Sequence, residues 1–143
     1  MEQEVAIKEL NAFLKGRYMG IHAYEHLIHH AQDAELKKTL QLIQQNHKQH
    51  AITVAERIQN LGGTPADDAG FIGSVQELFS NIKGYAQTKD DIVKTAIKSE
   101  EDYAVRLSEE IVKGDLDEES NVIVHHIINE DRKHTDTLKK LLH

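Results

Sequence analysis

Apolar residues recur at alternating steps of three and four along four long segments of this chain. That spacing lines one face of an α-helix and leaves the opposite face polar. In the second segment the stripe is Leu36, Leu40, Ile43, His47, His50, Val54, Ile58 and Leu61. In the third it is Val93, Ile97, Glu100, Ala104, Leu107 and Ile111, and in the fourth Val124, Ile127, Asp131, His134, Leu138 and Leu141. A single Pro, few aromatics and abundant Glu, Lys, Gln, Leu and Ala agree with an all-α fold.

Punctuation sets the boundaries. Helix 1 is expected from about Gln3 to Ala31, before a turn at Gln32-Asp33, and helix 2 from about Glu35 to Leu61, stopped by Gly62-Gly63 and then Pro65. Thr64–Gly70 reads as a loop of small residues and Phe71–Gln87 as a short amphipathic helix. Helix 3 is expected over about Asp90–Lys113, ended by Gly114, and helix 4 over about Glu118–Leu142. The two tight turns make helices 1–2 and 3–4 antiparallel pairs. The stretch between helices 2 and 3 is long enough to cross a bundle, and one long crossover joining two hairpins is the ferritin-like connectivity. An up-down-up-down bundle with an extra docked helix is the alternative. At 143 residues the whole chain, 1–143, is expected to be one domain.

Composition excludes several classes. Without Cys there is no disulfide, no thiolate zinc site and no iron–sulfur centre. No apolar run approaches the roughly 18 residues of a membrane span, and no secretory pattern opens the chain, so a cytoplasmic protein without a membrane partner is expected. A net charge of −7 argues against nucleic acid.

The stripes are interrupted where interruption is costly. His47, His50, Glu100, Asp131 and His134 fall near the middle of their apolar faces, and an unpartnered buried carboxylate or imidazole costs several kcal/mol. The pairs 47/50 and 131/134 have i,i+3 spacing, which puts two groups on one helix face. Glu100 and Asp131 lie at similar distances on either side of the turn between helices 3 and 4. Five such groups at one level are expected to meet and either share cations or neutralise one another. Helix 1 has the stripe Leu10, Phe13, Leu14, Arg17, Ile21, Tyr24 and Ile28. Glu25 is its first-choice ligand, by chemistry and a partly inward phase. It lies roughly 9 Å off the level of His47 at 1.5 Å per residue, so His22, which matches the level better, is the second choice. Arg17, near the centre of its stripe, calls for an acidic partner, such as a site carboxylate, unless its stem merely covers core while its head reaches water.

With these residues the chain resembles the ferritin-like superfamily that contains rubrerythrins and ferritins. More narrowly it is similar to a bacterial family of ferritin-like four-helix domains of uncharacterised function. The narrower likeness rests on Asp33-Ala-Glu-Leu-Lys, Leu61-Gly-Gly-Thr-Pro65, the short crossover helix, Glu100-Glu-Asp and the late His134. The superfamily implies non-haem iron or manganese and oxidase, peroxidase or iron-handling chemistry. His47 and Asp131 depart from it, standing where it usually has Glu, which makes the donor set richer in nitrogen.

The expected site is therefore Glu25, His47, His50, Glu100, Asp131 and His134, holding iron, most simply two ions, with manganese or zinc as substitutes. O2 or peroxide are the small partners this implies, and a homodimer is a further expectation. The competing reading is a helical structural module whose buried polar network holds no metal and sets register. A hemerythrin-like carrier ranks last, for want of that family's ladder of ligands. His22, His26, His29 and His30 form a second group, read as solvated surface, as are His125 and His126.

Overall fold

A computed structural model describes residues 2–67, 88–101 and 114–142. Within them the chain forms four helices and no strand: α1 Glu2–His30, α2 Ala34–Asn60, α3 Lys89–Ser99 and α4 Glu118–Lys139. The expected helix Phe71–Gln87, and the expected course of helix 3 beyond residue 101, lie outside the described residues. No helix among the described residues is long and apolar enough to cross a membrane.

Each boundary has a local cause. Asp33 caps α2, its Oδ1 accepting from the Leu36 amide at 2.8 Å. At the other end Gly62 takes φ 90, a conformation that costs glycine little, and the Gly62 and Gly63 amides donate to Gln59 and Ile58 carbonyls at 2.9 Å. That is the paired hydrogen-bond pattern that turns a chain sharply out of a helix. Thr88 caps α3; Asp90 and Asp91 occupy its first turn, where negative charge meets the positive helix end. Asp117 caps α4 through the Ser120 amide and also takes Arg57 Nη2 at 2.7 Å, tying the end of α2 to the start of α4.

The stripes pack into two separate apolar clusters. One joins Tyr24, Leu27 and Ile28 of α1 with Leu36, Leu40 and Ile43 of α2, Ile92, Val93, Ala96 and Ile97 of α3, and Leu138 of α4. The other joins Leu10, Phe13 and Leu14 with Ala51, Val54, Ile58, Val124, Ile127 and Ile128. The first cluster thus gathers the C-terminal part of α1, the N-terminal parts of α2 and α3, and the C-terminal part of α4. So α1 and α4 run one way and α2 and α3 the other. Because α2 and α3 are parallel, the chain between them must travel the length of the bundle, as one long crossover requires. Its start is visible: Asn11 donates to the Thr64 carbonyl and accepts from the Ala66 amide, and Tyr18 OH donates to the Ala66 carbonyl at 3.0 Å. The chain leaving α2 therefore sets off along α1 toward the end where α3 begins. The up-down-up-down alternative is ruled out by this polarity.

Candidate metal centre

Between the two apolar clusters lies a polar layer. Arg17 of α1, His47 of α2, Glu100 after α3 and Asp131 of α4 are all at most 2% exposed, and His134 of α4 borders them. The levels follow from helix length. Arg17 stands 13 residues before His30, the end of α1, and His47 stands 13 after Ala34, the start of α2. The α-helical winding of α3 widens into a π-turn at Glu100 and Glu101, a distortion frequent at functional sites.

Glu100 Oε1 collects two contacts: Tyr24 OH donates to it at 2.6 Å and His47 Nε2 lies at 2.7 Å. Arg17 Nη1 lies 3.3 Å from His47 Nδ1. Guanidinium can only donate, so Nδ1 accepts and the ring proton sits on Nε2, pointing at Glu100. Arg17 Nη1 also lies 2.7 Å from Asp131 Oδ2, a close ion pair in which the N–H is not aligned on the oxygen. His134 Nδ1 is 3.6 Å from Asp131 Oδ1 and 3.7 Å from Glu100 Oε1. Both Asp131 oxygens, Glu100 Oε2 and His134 Nδ1 lack a hydrogen-bond partner. Buried polar atoms are rarely left so, and a cluster of them wants an explanation.

The electrostatics keep the layer ionic. Burial alone would push the Asp131 carboxyl up, but the Arg17 guanidinium and the neighbouring imidazoles outweigh it and hold the carboxyl below its ordinary value. Burial, and then the charge of Glu100, drive the Tyr24 phenol well above its usual range, so Tyr24 stays a neutral donor.

One ligand atom from each of His47, Glu100, Asp131 and His134 lies within 4.8 Å of the other three. Two imidazoles and two carboxylates on three helices are a donor set that could hold a transition-metal ion. Of the residues expected from the sequence, these four come together and the others do not. Glu25 is exposed: consecutive helix positions differ by about 100°, and Tyr24, not Glu25, takes the inward direction. His22 is half-buried but outside the set. His50 is buried one turn further along α2, with Nε2 3.1 Å from Glu130 Oε1. Burial lowers the His50 pKa despite that partner, and the bond to His50 lowers that of Glu130.

His29, His30, His125 and His126 are exposed, as the surface reading has it, whereas His22 and His26 of the same group are half-buried. Two participants escaped the sequence reading, the Tyr24 hydroxyl and Glu130. Tyr24 was visible as a stripe residue, whereas Glu130 adjoins the stripe and carries no signal of its own. The broad hollow of about 550 Å³ lined by Arg57, Gly114 and Asp117 is at the end of the bundle, away from this chemistry.

No curated protein and no solved structure matches the chain. Residues 5–114 match the family described as a domain of unknown function, DUF2383. That span covers about three-quarters of the chain and contains Arg17, His47 and Glu100, ending before Asp131 and His134. The chain belongs to the DUF2383 family.

Proposed function

We propose that this protein is a ferritin-like metal-binding bundle in which His47, Glu100, Asp131 and His134 hold one divalent transition-metal ion. The convergence of four donor atoms within 4.8 Å, in a layer sealed by apolar clusters on both sides, is the observation that carries the reading. The parallel course of α2 and α3 supports the ferritin-like comparison. Iron is the first candidate, since carboxylates with imidazole suit Fe(II) and Fe(III), followed by manganese and zinc. The role is oxidoreductase or iron handling, with O2 or peroxide as the small-molecule partner. A bound ion of this kind supplies redox or Lewis-acid chemistry.

Charge favours one ion over the two implied by the superfamily. With neutral imidazoles, Glu100, Asp131 and Arg17 sum to −1 in a water-poor layer. One divalent ion brings this to +1, and two would bring it to +3, which a buried site tolerates poorly. Arg17 thus stands as the second cation. Tyr24 holds Glu100 in place through its hydroxyl, and Arg17 fixes Asp131. For His47 to bind through Nε2 its ring proton must pass to Nδ1. That turns a donor toward Arg17 in place of an acceptor, so the ring and the guanidinium must part. Because protons compete with a metal for the donors, binding weakens in acid.

The test is elemental analysis of tag-free protein reconstituted anaerobically with Fe(II), Mn(II) or Zn(II). About one equivalent retained after desalting is expected, and less than about a tenth overturns the reading.

A metal-free polar network is the second reading, favoured by the 2.7 Å contacts that already pair Arg17 with Asp131 and His47 with Glu100. It expects a melting temperature indifferent to metal and chelator. It also expects the combined His47→Leu, Glu100→Leu and His134→Leu variant to be as stable as the parent or more so, as apolar replacements of buried networks often are.

A further inference from the structure

We infer that α1 carries a port, opened by Gly16 and Gly20, that admits molecules of about two heavy atoms to the Glu100 side of the cluster and excludes larger ones. The inference rests on the metal reading above. Gly16 and Gly20 stand one helical turn apart, both half-buried, in the middle of a 29-residue helix. Glycine is the poorest helix former after proline, so the folding of α1 does not ask for either. Among the described residues no close helix packing asks for them: a Cβ built on either meets nothing within 4 Å.

Behind them is a cavity of about 20 Å³ whose walls include Arg17, Tyr24, His47 and Glu100. One water needs about 10–15 Å³ measured this way, so the space takes a water or a diatomic molecule and no organic substrate. A separate observation points to a guest. Glu100 is 1% exposed, and while its Oε1 is engaged by Tyr24 and His47, its Oε2 has no hydrogen-bond partner. A buried carboxylate oxygen is seldom left in that state, and Glu100 is one of the residues that line the cavity. The port thus leads from Gly16 and Gly20 on α1 to His47 and Glu100, and its width sets the size of what can join them.

The experiment mixes the Fe(II)-loaded full-length protein with nitric oxide under inert gas and follows the iron–nitrosyl absorbance, with iron content measured in parallel. The parent is expected to form the nitrosyl, while imidazole, with five heavy atoms, leaves its spectrum unchanged. Gly16→Leu and Gly20→Leu are expected to keep their iron and react at least about tenfold more slowly. Gly16→Ala and Gly20→Ala narrow the port by one methyl while improving helix propensity, so they are expected to fold and to slow the reaction less. If the leucine variants lose iron or fail to fold, the alanine pair decides. Variants that hold parental iron and bind nitric oxide at the parental rate overturn the port, as does imidazole binding to the parent. Failure of the metal reading itself is distinguishable, because the parent would then retain no iron, and the port would fall with it.

Discussion

Arg17→Met removes the one permanent cation of the buried layer among the described residues while keeping a side chain of similar length. Asp131, 0% exposed, loses the guanidinium 2.7 Å away, and Glu100 remains at 1% exposure. Breaking a buried ion pair from one side costs about 3–5 kcal/mol, because a charge is left without its partner. At about 2–4 °C per kcal/mol for a chain of this size, the metal-free variant should melt roughly 10–15 °C below the parent. Metal should reverse the order of response. The fixed charges of the layer sum to −2 instead of −1, so a divalent ion leaves the variant neutral where it leaves the parent at +1. The variant is therefore expected to bind Fe(II) or Zn(II) at least about tenfold more tightly, a gain of about 1.4 kcal/mol. It should also show the larger rise in melting temperature on adding metal. The assay is thermal unfolding at pH 7 with chelator and with saturating metal, beside a direct titration. A chelated variant that melts with the parent, or one with a smaller metal response, would refute the charge argument.

Tyr24→Phe deletes the 2.6 Å hydrogen bond to Glu100 and should cost about 1.5–3 kcal/mol in urea unfolding, the range for a bond to a charged group. In an alkaline absorbance titration of the folded protein, one of the four tyrosines should lag the rest, and Tyr24→Phe should abolish that lag. Glu25→Ala and His22→Ala should each change metal affinity by less than about twofold, whereas groups that support a ligand typically cost about 10–100-fold; a larger loss at Glu25 would restore it as a ligand. Asp117→Ala should cost about 1 kcal/mol through the lost cap of α4. Burial pushes the Asp117 carboxyl up, but the hydrogen bonds from Ser120 and Arg57 and the Arg57 charge together outweigh it and hold the carboxyl below its ordinary value. Its contribution is therefore complete above about pH 4 and is lost as pH falls through the folded pKa. The gap in melting temperature between parent and variant should therefore close in acid.

The helices were legible because periodicity is a local property: each stripe reports the buried face of its own segment whatever the partner turns out to be. His47, Glu100, Asp131 and His134 were legible for the same reason, as polar groups in mid-stripe whose burial demands company. His50 shares that phase, yet a rise of about 4.5 Å over three residues carries it past the level of Glu100 to Glu130. Phase alone cannot separate two positions on one face, and the level of the partner decides.

On α1 functional group and position point to different residues. Glu25 had the ligand's functional group but neither its level nor its direction. Arg17 had both, lying as far before the α1–α2 turn as His47 lies after it. Tyr24 lies off the level as Glu25 does, but it points inward and its long side chain reaches Glu100. A search for ligands counts groups that could face a cation and passes over a cation already present. The need of Arg17 for an acidic partner was visible in the stripe; that the partner would be Asp131, one of the expected ligands, depended on α1 and α4 meeting across the bundle. On the proposed reading, in which Asp131 is shared between the guanidinium and a metal ion, the same residues that suggested two ions have charge enough for one.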